Sequence, residues 1–223
     1  GPTDPQQDTV VDGLLQLMGQ AKKDLLIVSP YFVPGPDMKQ AFAAARARGV
    51  RVRVLTNSLA SNDAPIAHAG YARHRPELLA TGLELYEMRS ELSGLRSVFQ
   101  GTGSSGVTGS SGDSKAMLHS KLLILDGRLL VIGSMNLDLR SQLQNTEIAL
   151  LIRSRSLSAR ATEQIEAALE DAAWRVEQDS EGRLVWRAPK DSGLEDATAE
   201  PDTSAPLRWL VRILGWFAPD HLL

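Results

Sequence analysis

The chain has 223 residues, 43% of them hydrophobic, a formal net charge of −3 and no cysteine. A chain of this length can bury a sizeable core. The missing cysteines exclude disulfides, thiolate metal sites and a cysteine nucleophile. The slightly acidic balance argues against a nonspecific nucleic-acid binder, which carries a basic surplus. No run approaches the roughly 18 apolar residues that span a bilayer.

The start, Gly1-Pro2-Thr3-Asp4, has neither Met nor a signal-peptide pattern. Gly-Pro reads as a protease scar, so residues 1–7 are expected to be a disordered start and the natural protein to extend upstream. Over residues 8–22, Val10, Val11, Leu14, Leu15 and Met18 repeat at helical spacing. "DLLIVSPYF" follows as a buried strand ending at Pro30. A helix opens at Pro36 and stops at Gly49. "VRVRVLTN" alternates strictly, as a strand does. Residues 64–81 read as a helix ending at Gly82, and "LELYEM" as a third strand. This order predicts an α/β fold: a mixed, largely parallel β-sheet flanked by helices on both faces.

Residues 97–118 break the pattern with the Gly/Ser-rich "QGTGSSGVTGSSGDS", a flexible loop or lid. Strands are expected at 120–125, 128–133 and 145–152. "SLSARATEQIEAALEDAAWRVEQ" reads as one amphipathic helix, with Ile165, Ala168, Leu169 and Ala172 on a stripe. "RLVWRA" is a last short strand, closing a domain that runs over 8–187. Residues 188–204 form an acidic linker, and 205–223 an apolar carboxy-terminal helix. In that helix Leu207, Leu210, Val211 and Leu214 make one stripe beside Arg208, Arg212, Trp209 and Trp216. It is either interfacial or docked on the protein's own core.

The chemistry concentrates between His119 and Asn136. Asp126-Gly127 between two apolar runs signals a tight hairpin. Residues two apart share a strand face, so His119 and Lys121 pair at one end, and Ser134 and Asn136 pair at the other. The hairpin brings the two ends together. Asn145 and Glu147 are also two apart. Pattern alone therefore predicts one cluster holding an imidazole, an ammonium, a hydroxyl, an amide and a carboxylate. Lys binds phosphate as a point charge, Asn and Ser donate to anionic oxygens, and His serves as nucleophile or general acid/base. The cluster suits a phosphodiester and needs no metal or cofactor. His68 and His74, six apart, do not share a helix face well enough for a metal pair. Tyr31 and Asn57 follow strands at the carboxyl edge, where α/β ligand crevices form, and are expected to line a headgroup site.

His119-x-Lys121-x4-Asp126-x6-Gly133-Ser134-x-Asn136 resembles the HKD motif of the phospholipase D superfamily at every position. "SPYFVPG", "GVRVRVLTNS" and "HAGYARHRPELLATGLELYE" look like the carboxy-terminal half of bacterial cardiolipin synthases. The resemblance covers roughly 8–187 and implies roles. His119 attacks phosphorus, Lys121 and Asn136 hold phosphate oxygens, and Glu147 orients the imidazole. Ser134 supports the site, and Asp126, in the turn, is structural. The resemblance also implies a second HKD motif whose His protonates the leaving alcohol. None is present here: His68 precedes Ala-Gly, His74 Arg-Pro and His221 Leu-Leu. The expected partners are therefore a phospholipid, a membrane surface and a second HKD domain, from the same natural chain or a homodimer, with no nucleic acid. The reading is phosphatidyl transfer that makes cardiolipin at a bacterial membrane. The alternatives are a homodimeric phospholipase D or phosphodiester nuclease, and an inactive lipid- or partner-binding domain.

Overall fold

The computed structural model describes residues 10–90, 118, 121–134, 137–138 and 148–217. The expected disordered start and, Leu118 apart, the expected 97–118 loop lie outside the described residues. The elements run α1 (Val10–Gly19), β1 (Asp24–Val28), β2 (Phe32–Val33), α2 (Pro36–Ala47), β3 (Arg51–Asn57), α3 (Pro65–Ala80) and β4 (Glu84–Met88). They continue with β5 (Leu122–Leu125), β6 (Leu129–Gly133), β7 (Leu137–Asp138), β8 (Ala149–Arg153), α4 (Arg155–Asp171), β9 (Ala173–Gln178), β10 (Leu184–Arg187) and α5 (Ala205–Phe217).

Eight strands form one mixed sheet in the order β10-β9-β4-β3-β1-β5-β6-β8, and β2 pairs with β7 separately. The central strands β1, β3 and β4 are parallel, and the flanking ladders are antiparallel. Glycines set the crossovers. Gly49 (φ 82°) and Gly82 (φ 89°) adopt the left-handed conformation that ends α2 and α3. After each, the next residue bonds back into the last turn: Val50 N–H to the Ala45 carbonyl and Leu83 N–H to the Leu78 carbonyl, both 3.1 Å.

Strand alternation then sorts the core. Leu25, Ile27, Val52, Val54, Leu85 and Leu123 pack against α1, α2 and α3. Leu26, Val28, Leu55, Tyr86, Ile124 and Leu130 pack against Ile165 and Leu169 of α4. Helices thus cover both faces, which is why β1 is apolar at consecutive positions. Arg53, 4% exposed, ties α4 to the sheet through Asp24 (2.9 Å) and Glu166 (2.6 Å).

The expected helix over 156–178 is two elements. It starts at Ser154, whose Oγ caps the Leu157 N–H, and stops at Asp171. The rest is β9, whose Trp174 and Val176 point into the core while Arg175 and Glu177 line the other side. The segment 188–204 joins β10 to α5, yet it is tied along its length. Ala197 exchanges both backbone bonds with Trp186 (2.8 and 2.9 Å), Asp196 holds Arg187, and Glu200 reaches Arg75. Of the two expectations for the tail, docking holds for one face of α5. Leu207, Val211 and Leu214 pack on Leu59 and Ala69, while Leu210, placed by its spacing on the same stripe, is 49% exposed.

Candidate functional site

The parallel strands β1, β3 and β4 end at Val28, Asn57 and Met88 on one edge of the sheet. The antiparallel register continues that edge: Val28 lies opposite Leu122, and Leu122 opposite Ile132. Ile132 lies opposite Leu150. One step further out, Lys121 accepts the Gly133 N–H at its carbonyl (3.2 Å), and Gly133 lies opposite Ala149. A further step out, the Ser134 N–H bonds the Ile148 carbonyl (3.0 Å) and Ser134 Oγ accepts the Ile148 N–H (3.1 Å). Lys121, just before β5, and Ser134, just after β6, therefore lie on the carboxyl edge, where ligand crevices of α/β sheets form.

Lys121 lines an apolar pocket with Val10, Leu14, Val28, Val131 and Ala149, and its ammonium makes no ion pair among the described residues. Ser134, expected to support a phosphate, uses its hydroxyl to fasten β6 to the segment entering β8.

The opposite end of the hairpin is fixed differently. Asp126 and Gly127 have φ of 49° and 61°, the pair of positive values that a type I′ turn requires. The Asp126 carboxylate accepts the backbone N–H groups of Lys22, Lys23 and Asp24 at 2.8–3.2 Å. Burial pushes this carboxyl up, but those three donors, with Arg128 at 3.3 Å, outweigh it and hold the group below its ordinary value. Asp126 thus anchors the turn to the start of β1, at the far end of the hairpin from Lys121.

Asn57 was expected to line the headgroup site; the structure corrects this. It is 1% exposed and both ends of its amide are engaged. Nδ2 donates to the carbonyls of Pro30 (3.2 Å) and Leu118 (3.3 Å), and Oδ1 accepts the Leu118 N–H (2.9 Å). The side chain acts as a one-residue strand and pins Leu118 to the ends of β1 and β3. Ser58 and Ser61, buried beside it, extend the knot to the Met88 carbonyl (3.0 Å). This positioning role was missed at the sequence level because the two partners are 61 positions apart. Tyr31 stays partly open, and its hydroxyl donates to Asp63 on the neighbouring loop.

His119, Asn136 and Glu147 lie outside the described residues. Each adjoins a residue that the fold fixes. Leu118 is clamped by Asn57, Leu137 pairs with Phe32, and Ile148 is bonded to Ser134. Of the other histidines, His68 is buried with Nε2 near Glu200 (3.1 Å) and Arg75 (2.8 Å), and His74 lies 3.7 Å from Glu77.

Residues 14–169 match the family described as "Cardiolipin synthase, PLD-like domain". The chain belongs to this family. It is 37% identical over 214 residues to cardiolipin synthase C of Escherichia coli, covering 94% of this chain and 43% of that protein. Phosphatidylserine synthase from Haemophilus influenzae matches at a TM-score of 0.63 and 16% identity, over 97% of this chain and 44% of that one. Nuc from Salmonella typhimurium, a phospholipase D family member, matches at 0.54 and 20% identity, over 78% and 95%. At these identities the two structures speak for the fold alone. The chain spans less than half the length of the cardiolipin synthases and phosphatidylserine synthase it matches. Among the described residues, no helix is long and apolar enough to cross a membrane.

Proposed function

We propose that the chain supplies one half of a phospholipase D-type phosphatidyl-transfer site, which makes cardiolipin from phosphatidylglycerol or a related donor. The observation that carries this reading is the set of three anchors. Leu118 is held by Asn57, Leu137 pairs with Phe32 and Ile148 is bonded to Ser134, and each is the chain neighbour of a motif residue: His119, Asn136 and Glu147 in turn.

In this scheme an imidazole nitrogen of His119 attacks phosphorus and the bond to the leaving alcohol breaks. The alkoxide takes a proton from the histidine of a second HKD motif, leaving a phosphohistidine. Lys121 and Asn136 hold the non-bridging oxygens, whose charge builds in the transition state. Glu147 orients the His119 ring and stabilises its cationic form. A second alcohol then gives its proton to the partner histidine, attacks phosphorus and releases His119. Asp126 and Asn57 act as supports that do not touch the substrate. The enzyme works peripherally on a bacterial membrane.

The second motif comes from another half of the natural chain or from a second copy, and the β8 side of the sheet is where it docks. Ile148, Leu150 and Leu151 are 75%, 59% and 52% exposed there, with Ile132 next to Leu150 on β6. Exposed apolar side chains on both faces of an edge strand support an interface there.

The test is to measure mass in solution and then supply phosphatidylglycerol vesicles, assaying cardiolipin and phosphatidic acid. Product is expected only from a two-motif assembly, and not from His119→Ala or Lys121→Ala. Product from a strict monomer would overturn the two-motif account; product from His119→Ala would overturn the phosphohistidine.

A further inference from the structure

The outward face of α5 is used by nothing described so far. The helix has two arginines and no acidic residue. Its inner stripe is spent on Leu59 and Ala69. Its outer side shows Trp209, 69% exposed, and Leu210, 49% exposed, with exposed Arg212 one turn beyond Trp209. Arg73 of α3, also exposed, donates to the Gly215 carbonyl (3.4 Å) near the helix end. A large aromatic and a leucine left in water beside cations, in a chain whose net charge is −3, is the composition of a surface that meets an anionic interface.

Position narrows the choice. Leu59, under Val211, lies two residues past Asn57, the residue that clamps Leu118 at the carboxyl edge. The face of α5 and the proposed phosphodiester site therefore share one edge of the sheet. The phosphate of a phospholipid lies at headgroup depth, which is also the depth at which Trp and Arg side chains of an amphipathic helix settle.

We propose that Trp209, Leu210 and Arg212 form a docking surface for an anionic phospholipid bilayer, holding the carboxyl edge towards it. The proposal rests on the lipid reading of the site, since a soluble substrate gives the helix no reason to face a bilayer. Docking needs no unfolding of α5, because the inner stripe stays on Leu59 and Ala69.

The test is flotation of the chain with phosphatidylcholine vesicles, with and without one quarter of phosphatidylglycerol. Wild type is expected to float with the anionic vesicles and to release at high salt. The double variant Trp209→Glu/Leu210→Glu should bind at least about tenfold more weakly, with unchanged circular dichroism and melting temperature, because both residues are exposed. Arg212→Gln should weaken binding only to the anionic vesicles. The chain has no cysteine, so a fluorophore on Leu210→Cys reports burial in the bilayer directly. Undiminished flotation of the double variant overturns the proposal, as does loss of self-association in its place, which would make the face a protein contact. Lys121→Ala separates the two readings. It should float like wild type, so loss of transfer there, with flotation intact, tests the chemistry and not the docking.

Discussion

The two lateral edges of the sheet are finished in opposite ways. At β10 the chain returns and closes the edge. Ala197 bonds Trp186 in both directions, and Asp196 takes both the Arg187 guanidinium (2.8 Å) and the Ala188 N–H (2.9 Å). Glu200 completes a buried group. Arg75 contacts Glu87 (2.8 Å) and Glu200 (2.6 Å), and Trp186 Nε1 donates to Glu87 (2.9 Å). At β8 no further strand pairs outside it among the described residues, and Leu150 and Leu151 there are more than half exposed. One edge is satisfied from within; the other, among the described residues, is left open. Open strand edges are hazards unless something pairs with or covers them, so the proposed second motif is expected on the β8 side.

The strongest way to break the contrast is to reopen the closed edge. Glu200→Gln leaves the buried Arg75 with less compensation, and should cost about 3–5 kcal/mol. For a chain of this size that lowers the melting temperature by roughly 10 °C. Burial pushes the Glu200 carboxyl up, but Arg75 and His68 outweigh it and bring it to about 2. Its stabilising contribution is therefore present above the ordinary carboxylate range and disappears as pH falls towards about 2. The gap between wild type and Glu200→Gln, measured by thermal melts from pH 7 downwards, should be largest at neutral pH and close in acid. Glu87, buried without exposure, is pushed the other way, because burial outweighs Arg75.

Asp126→Ala orphans three backbone donors next to β1 and should cost roughly 1–3 kcal/mol by chemical denaturation. Arg187→Ala removes pairs with Glu177 and Asp196 that lie in solvent, and should leave the chemical-denaturation midpoint almost unchanged. The smallest effect on the fold is expected at the open edge. Leu150→Glu with Leu151→Glu should move stability by no more than about 0.5 kcal/mol, while abolishing association with the second half in sedimentation. A large loss of stability there would show that β8 is a core element and sink the idea of an interface.

The sequence displays what depends on near neighbours. Short β-rich runs located β1 and β4, strict alternation located β3, and Asp126-Gly127 located the hairpin. The motif spacing located Lys121 and Ser134, which the register then placed at the same end of the β5–β6 hairpin. What it hides depends on distant partners. β9 passes for more helix because Trp174 and Val176 continue an apolar spacing from Leu169, and only the pairing with β4 and β10 decides between the two periods. Segment 188–204 is poor in apolar residues and reads as a linker. Its order comes from Glu200 meeting Arg75 across 125 positions. Asn57 reads as a ligand-facing amide until Leu118 is found beneath it.

The Asn57 bridge fixes where the chain rejoins the sheet. Ser90, the last described residue after β4, is buried beside the same edge that holds Leu118. The chain therefore leaves the sheet from one fixed post and rejoins it at another, and the second post is locked before His119 begins.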